Sequence, residues 1–178
     1  MDINALSKKL TYGLHVISVN DAKNARPGGF VIDAVCQLSM DEPPLVVFSV
    51  MNKNYSKDCI KDEGTFNVSI LPVSVDPFVI ANFGYQSSSD VDKWKNVPHT
   101  IINGLPVLDQ AITWAQFKVV DFRVMGTHTA FFCEPTECDY LNESLEPLRY
   151  ADYFTELKDA AFAAFKSHNE SIKQKGQD

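Results

Sequence analysis

The apolar run Leu45–Val50 ends without transition in Met51-Asn52-Lys53-Asn54-Tyr55-Ser56. A turn needs one or two polar residues, so two amides, a lysine and a serine together ask for a chemical reason. The next segment, Ser56–Gly64, has a serine at an N-cap position and a closing glycine, which predicts a short helix. A strand that runs into a helix N-terminus leaves backbone N–H groups unpaired beside the positive end of a dipole. An anion fits there; Asn52, Asn54 and Ser56 add neutral donors, and Lys53 adds a charge. That set suits a phosphate monoester. From this segment alone, the alternative is a helix cap beside a solvated lysine.

The elements that would position this turn are legible as local patterns. Leu10–Val19 alternates as a strand, and Asn20–Phe30, rich in Asn, Pro and Gly, reads as a turn. Phe30–Ser39 is β-branched and strand-like until Asp41-Glu42-Pro43-Pro44 breaks it, and Pro44–Met51 suits a strand buried on both faces. Thr65–Pro72 alternates with Phe66, Val68 and Ile70 on one face, and Asp76–Gln86 predicts a second short helix. His99–Leu141 contains at least two long strands broken at Met125–His128, and Ala151–Asp178 predicts a C-terminal helix with a polar end. Many strands with few helices predict a mainly β domain, a closed or nearly closed antiparallel barrel with helical additions.

A chain of 178 residues suits one core, not two. The net charge of −7, with no basic stripe, opposes nucleic-acid binding. Residues 1–10 lack the apolar core of a signal peptide, and no run approaches the ~20 apolar residues of a membrane helix. A cytoplasmic location without membrane contact is expected. Cys36, Cys59, Cys133 and Cys138 then read as free thiols, and Cys133/Cys138 lacks the second pair a metal site needs. No cysteine has a sequence-near His or Arg to make it a reactive thiolate.

Five motifs occur in order. A strand ending in Gln37-x-Ser39 is followed by Pro43-Pro44, an apolar strand, Lys53-x-x-Ser56, a short helix and Phe66-x-Val68-Ser69-x-Leu71. Tyr12–Ser18 supplies an opening strand, and Phe83-Gly84-x-x-Ser87 leads to Asp92-Lys93-Trp94. Gly126-Thr127-His128-Thr129-x-Phe131 and Pro147-Leu148-x-Tyr150-x-x-Tyr153 complete the set. From Leu10 to about Phe154 the chain resembles the flavin reductase-like, FMN-binding split-barrel family, nearest its flavoredoxin branch.

The resemblance implies an antiparallel, Greek-key split β-barrel over residues 1–155, with residues 156–178 as a C-terminal helix and polar tail. It also implies a homodimer with FMN near the subunit interface. The strand end Gln37-Leu38-Ser39 and the turn Asn52-Lys53-Asn54-Tyr55-Ser56 would hold the phosphate and ribityl chain. Asp33, Ala34, Val35 and Cys36 would run along the isoalloxazine edge, mostly through backbone groups, with Ser87 and Lys93 as further cofactor contacts. Phe83 and Trp94 would cover the ring or line the pocket, unless they are ordinary core.

His128 is the catalytic candidate, beside the flavin where a nicotinamide stacks. Hydride passes directly between the two cofactors, so His128 would position the donor or favour its charge and abstract no proton. Its other reading is a strand-end histidine bonded to backbone.

The chain departs from the family pattern at several positions. Asp33-Ala34 replaces Asn-Thr, and an anion near the flavin N1–C2=O edge would lower the flavin potential. Gly28-Gly29 replaces Asn-Gly and is read as a flexible pair; Ser88-Ser89 replaces Gly-Arg and removes a charge. Thr127 and Cys133-Glu134-Pro135 change the presumed donor side. The implied activity is electron transfer from NAD(P)H through FMN to free flavin, iron or a redox protein. Two alternatives stand beside it: an electron carrier without its own NAD(P)H activity, and a flavin-less dimeric split-barrel binding module.

Overall fold

The computed structural model describes Leu10 and residues 12–175. Thr11 of the expected first strand and residues 176–178 of the expected polar tail lie outside the described residues. Among the described residues, seven strands form one sheet in the order β2-β1-β5-β8-β9-β4-β3, every neighbouring pair antiparallel. They are β1 (His15–Asp21), β2 (Arg26–Ile32), β3 (Val35–Gln37), β4 (Val46–Met51), β5 (Thr65–Ile70), β8 (Thr113–Met125) and β9 (His128–Tyr140). Strands β6 (His99–Ile102) and β7 (Leu105–Leu108) form a separate hairpin.

The sheet curls into a split barrel. Phe48 of β4 meets Phe66 of β5 edge-on at 5.0 Å between ring centroids, although β8 and β9 separate their strands in the sheet. Phe117 of β8 closes the group at 4.8 and 5.8 Å, a geometry that aromatic pairs favour. Ile17, Val19, Phe30, Val50, Val68 and Phe131 fill the same interior. The opposite face of β1 and β5 is buried too. There Ser18 Oγ donates to Pro106 O (2.6 Å), Asn67 Nδ2 to Ile102 O (2.9 Å), and Leu108 N–H to Ser69 Oγ (3.1 Å). These bonds fasten the β6–β7 hairpin across the barrel wall without stranding a buried polar group.

Helix α1 (Ser56–Glu63) joins β4 to β5 and inserts Ile60 into the barrel; α2 (Pro77–Gly84) follows β5. Asp76 caps α2 by accepting the Phe78 N–H at 2.9 Å, with Pro77 just inside the helix. A short turn, Tyr150–Asp152, and a π-helical turn, Tyr153–Leu157, lead into α3 (Lys158–Lys175). Leu14, Val16, Val79, Phe83, Trp94 and Tyr153 belong to a second core, outside the barrel between β1, α2 and the C-terminal segment.

Four local expectations are corrected. Only residues 22–25 turn, because Arg26–Gly29 pair in register with Asp21–Ser18 as part of β2. The expected strand Phe30–Ser39 is broken at Asp33-Ala34 into β2 and β3, which lie at opposite edges of the curled sheet. Ser56 is the first residue of α1 and not its cap; Tyr55 holds the cap position without a side-chain bond, and the Ser56 N–H donates to Asn54 Oδ1 at 3.0 Å. The β6–β7 hairpin is an addition; its signal was Asn103-Gly104, both at positive φ (52° and 80°), as a tight hairpin turn requires.

Gly28-Gly29 is no flexible hinge. Gly29 is a buried strand residue whose added Cβ would meet Ile17 O at 2.7 Å and a Phe83 ring carbon at 2.9 Å. Gly29→Ala is therefore expected to destabilise the fold by about 1–3 kcal/mol, the usual cost of overpacking. Urea denaturation checks this. A midpoint equal to that of the parent protein would mean that neither the strand carbonyl nor the ring constrains this position.

Candidate functional site

Strand β2 is a sheet edge, and the loop after α2 covers it with side chains instead of another strand. Ser88 Oγ accepts the Gly29 N–H (3.0 Å) and donates to Gly29 O (2.9 Å), as a strand partner would. Trp94 Nε1 donates to Gly28 O at 3.1 Å, and Arg26 Nη2 donates to Ser88 O at 3.0 Å. Lys93 follows the same edge inward. Its Nζ donates to Gly29 O (2.9 Å) and Phe83 O (3.0 Å), and the residue is only 4% exposed.

Desolvation lowers the Lys93 pKa from 10.5 to about 8. Two of its three N–H groups serve backbone carbonyls, the third makes no hydrogen bond among the described residues, and the Nζ lies 5.9 Å from the centroid of the Phe83 ring in the wall of a cavity. That cavity, about 340 Å³, lies between the turn after β4 and the end of α2. Lys53, Asn54, Ser87 and Ser88 give it polar walls; Phe30, Val31, Met51 and Phe83 give it apolar ones.

The turn after β4 is itself braced. Asp21, 1% exposed, accepts from Asn24 N (3.2 Å), Asn24 Nδ2 (2.7 Å) and Tyr55 Oη (3.0 Å). Burial alone would raise the Asp21 pKa. The Asn24 and Tyr55 hydrogen bonds and the Arg26 charge overcome that and hold it below 3.8. The N–H groups of Ser56, Lys57 and Asp58 are taken by Asn54 Oδ1, Asn54 O and Tyr55 O. The donors that face the cavity are therefore side chains and not the start of α1.

A second cleft of about 330 Å³ adjoins the first, with Val31, Gly84 and Tyr85 lining both. Asp33, Tyr150, Tyr153 and Phe154 line it, and Lys158 lies at its rim over the Phe154 ring, 5.1 Å from the centroid. Tyr85 and Tyr153 share a hydroxyl hydrogen bond of 2.7 Å that ties α2 to the C-terminal segment. Burial raises the Tyr150 pKa, and the Asp33 charge raises it further.

The structure thus brings Lys53, Asn54, Phe83, Ser87 and Lys93 to one cavity and Asp33 to its neighbour. Trp94 stands behind Phe83, 4.6 Å between centroids, and lines neither. Ser56 is buried, its Oγ 3.3 Å from where a Gly28 Cβ would lie. Ala34 O accepts the Ser49 N–H, and Val35 faces a small apolar cavity with Phe48 and Phe117.

Cys36, Gln37 and Leu38 are exposed. Gln37 pairs with Val46, at the opposite end of β4 from Met51, and Ser39 Oγ accepts from Leu45 N. The antiparallel register separates them from the turn within one chain. Asn52 points away from the cavity toward the β8–β9 hairpin. His128 pairs in register with Met51, which lines the cavity, and its Nδ1 lies 2.9 Å from Thr127 Oγ1.

Sequence reasoning missed Arg26, Ser88 and Tyr85 as site-builders and gave Tyr55 no part of its own within the turn. The one local signal was the density of hydroxyls and aromatics in Phe83–Ser89. All four cysteines are free; burial pushes the Cys59 thiol up to about 11 and the Cys133 thiol to about 12, so neither is a nucleophile at neutral pH.

Residues 7–157 match the flavin reductase like domain family. The chain belongs to the flavin reductase-like family. It is 32% identical over 155 residues to a ferric-chelate reductase (NAD(P)H) of Archaeoglobus fulgidus, a match covering 86% of this chain and 89% of that protein. It is 31% identical over 155 residues to a high molecular weight rubredoxin of Moorella thermoacetica, covering 86% of this chain and 66% of that protein. Among solved structures, an NADH:FAD oxidoreductase of Streptomyces globisporus superposes with a TM-score of 0.74 at 19% identity, over 83% of this chain and 86% of that one. A flavin reductase superposes at 0.68 with 26% identity, over 84% and 93%. These neighbours share the split barrel seen here. In flavin reductase-like terms, the clefts beside β2 are where this chain departs from a plain barrel: a buried cation, a hydroxyl-rich loop and an aromatic wall.

Proposed function

We propose that this flavin reductase-like oxidoreductase holds FMN in the cleft lined by Lys53 and Lys93 and uses NAD(P)H as electron donor. The acceptors would be free flavin, iron or a redox protein. The observation that carries the reading is Lys93. A buried ammonium with one uncommitted N–H, in the wall of a cavity that is polar at one side and aromatic at another, suits a phosphate joined to a flat ring. FMN is favoured over FAD because Lys53, Asn54, Ser87 and Lys93 converge on one cavity, enough for a single phosphate monoester. An FMN-binding protein of Thermus thermophilus superposes with a TM-score of 0.70, which supports the fold's capacity for such a site.

A bound flavin supplies the two-electron chemistry, taking hydride from nicotinamide and passing electrons on. The chain's residues do the rest. Lys53, Lys93, Asn54 and Ser87 neutralise and orient the phosphate, and Phe83 and Met51 exclude water from its neighbour. Asp33 sets a negative charge beside the second cleft. His128, on the far side of Met51, positions the nicotinamide. A homodimer would bring the exposed Gln37–Ser39 edge of one subunit to the other, and four free thiols suit the cytoplasm. The rubredoxin relative supports a redox protein among the partners and keeps the electron-carrier reading as the second choice.

The deciding experiment titrates FMN into the purified protein and adds NADH, then NADPH, without oxygen. Bound flavin that bleaches with either donor supports the reductase reading. Bound flavin that bleaches only with a reduced redox protein moves the assignment to a carrier. Absence of any flavin binding overturns both.

A further inference from the structure

One side chain ties the turn after β4 to the tip of the β8–β9 hairpin. Asn52 N–H donates to Thr127 O (2.9 Å), Asn52 Nδ2 donates to Gly126 O (2.9 Å), and Thr129 Oγ1 donates to Asn52 Oδ1 (2.7 Å). Thr129 is 3% exposed, whereas Gly126 and Thr127 are exposed, and a Cβ added at Gly126 would meet nothing within 4 Å. The tip is held from the Asn52 side.

The clamp brackets His128. Its backbone neighbours Thr127 and Thr129 both bond to Asn52, its register partner Met51 precedes Asn52, and Thr127 Oγ1 sits beside its Nδ1. On the other side, Asn52 adjoins Lys53 and Asn54, which line the cavity, and Asn54 N–H closes the turn on Met51 O at 2.9 Å. A donor held two ways this firmly is a structural tie; its carbonyl and one N–H are spent on the hairpin.

We propose that Asn52 and Thr129 are positioning residues that couple the phosphate-holding turn to His128, so that a filled cradle fixes where the histidine stands. The inference rests on the flavin reading above for its kinetic consequence, while the clamp itself can be tested without it.

The test compares Thr129→Val, which keeps shape and removes the hydroxyl, with Thr129→Ser, which keeps the hydroxyl. Hydrogen exchange of residues 125–130 in the ligand-free full-length protein is the first readout. Thr129→Val should speed exchange about tenfold while Thr129→Ser restores protection. In the FMN-loaded protein, Thr129→Val should lower kcat/KM for NADH about tenfold with FMN affinity within about threefold of the parent. In a His128→Ala background it should add nothing, because it acts through the histidine.

Equal losses in both backgrounds, equal damage by Ser and Val, or unchanged exchange at the tip would overturn the proposal. If the parent protein binds no flavin or oxidises no NAD(P)H, the functional reading falls. The exchange readout then still decides whether the clamp holds the tip.

Discussion

Lys93→Met is expected to weaken FMN binding about a hundredfold, the loss of one charge-assisted hydrogen bond in a desolvated site. The fold should survive. Replacing a buried ammonium with an apolar chain removes a desolvation cost that offsets the donor lost to Phe83 O, and Gly29 O keeps its Ser88 donor. The melting temperature should therefore stay within a few degrees of the parent while the flavin dissociates. The pH dependence has a definite sign. In the free protein Lys93 titrates near 8, against 10.5 when unfolded, so its buried charge penalises folding below about pH 8. That penalty fades as pH rises from 8 toward 10.5. A bound phosphate stabilises the ammonium and raises its pKa, so binding takes up a proton just above pH 8. Affinity should fall by up to about tenfold per pH unit there. Fluorescence titration of FMN from pH 7 to 9.5 measures it, and a flat profile in the parent protein would show that Lys93 does not hold the ligand.

Asp21→Ala should cost about 1–3 kcal/mol of stability, because it removes the acceptor shared by Asn24 and the Tyr55 hydroxyl and leaves them only their mutual bond to brace the turn after β4. It should also loosen FMN, since Tyr55 lines the cavity and carries the chain between Lys53 and α1. The Asp21 pKa is held below 3.8, so the stability this carboxylate contributes is present above that value and lost as pH falls through its lowered folded pKa. Acid sensitivity that begins earlier, between pH 6.5 and about 4, belongs to His15, whose burial disfavours its charged form. Denaturant midpoints for parent and variant at pH 7 and pH 3 separate the two. If the gap between the proteins is as wide at pH 3 as at pH 7, the ionised carboxylate is not the source of the effect.

How much of this was legible in the chain differs by kind of information. Alternation in Thr65–Ile70 and the long runs around Met125–His128 predict strands because successive side chains on a pleat point to opposite faces, and β5, β8 and β9 follow. Asp76-Pro77 predicts the start of α2 because capping is a local bond. The ordered motifs from Gln37 to Tyr153 identify the family, since each marks a turn or strand end the fold requires. The density of donors in Asn52–Ser56 is likewise plain in its composition, although of these five residues only Lys53, Asn54 and Tyr55 line the cavity.

The partners were not legible. Nothing local distinguishes Asn52, whose amide serves a hairpin 77 residues away through Thr129, from Asn54, which lines the cavity. Gly28-Gly29 looks like a turn because glycine permits one, yet here the missing Cβ lets Phe83 and the Ser88 loop close on a sheet edge. Lys93 is ordinary in sequence; its depressed pKa exists only because β2 and α2 bury it away from water. Local chemistry sets the elements and the order of the family's motifs, because caps, alternation and turn residues act within a few positions. Which donors face the cavity, and with what charge, depends on contacts between segments far apart in the chain, and tertiary structure alone decides those.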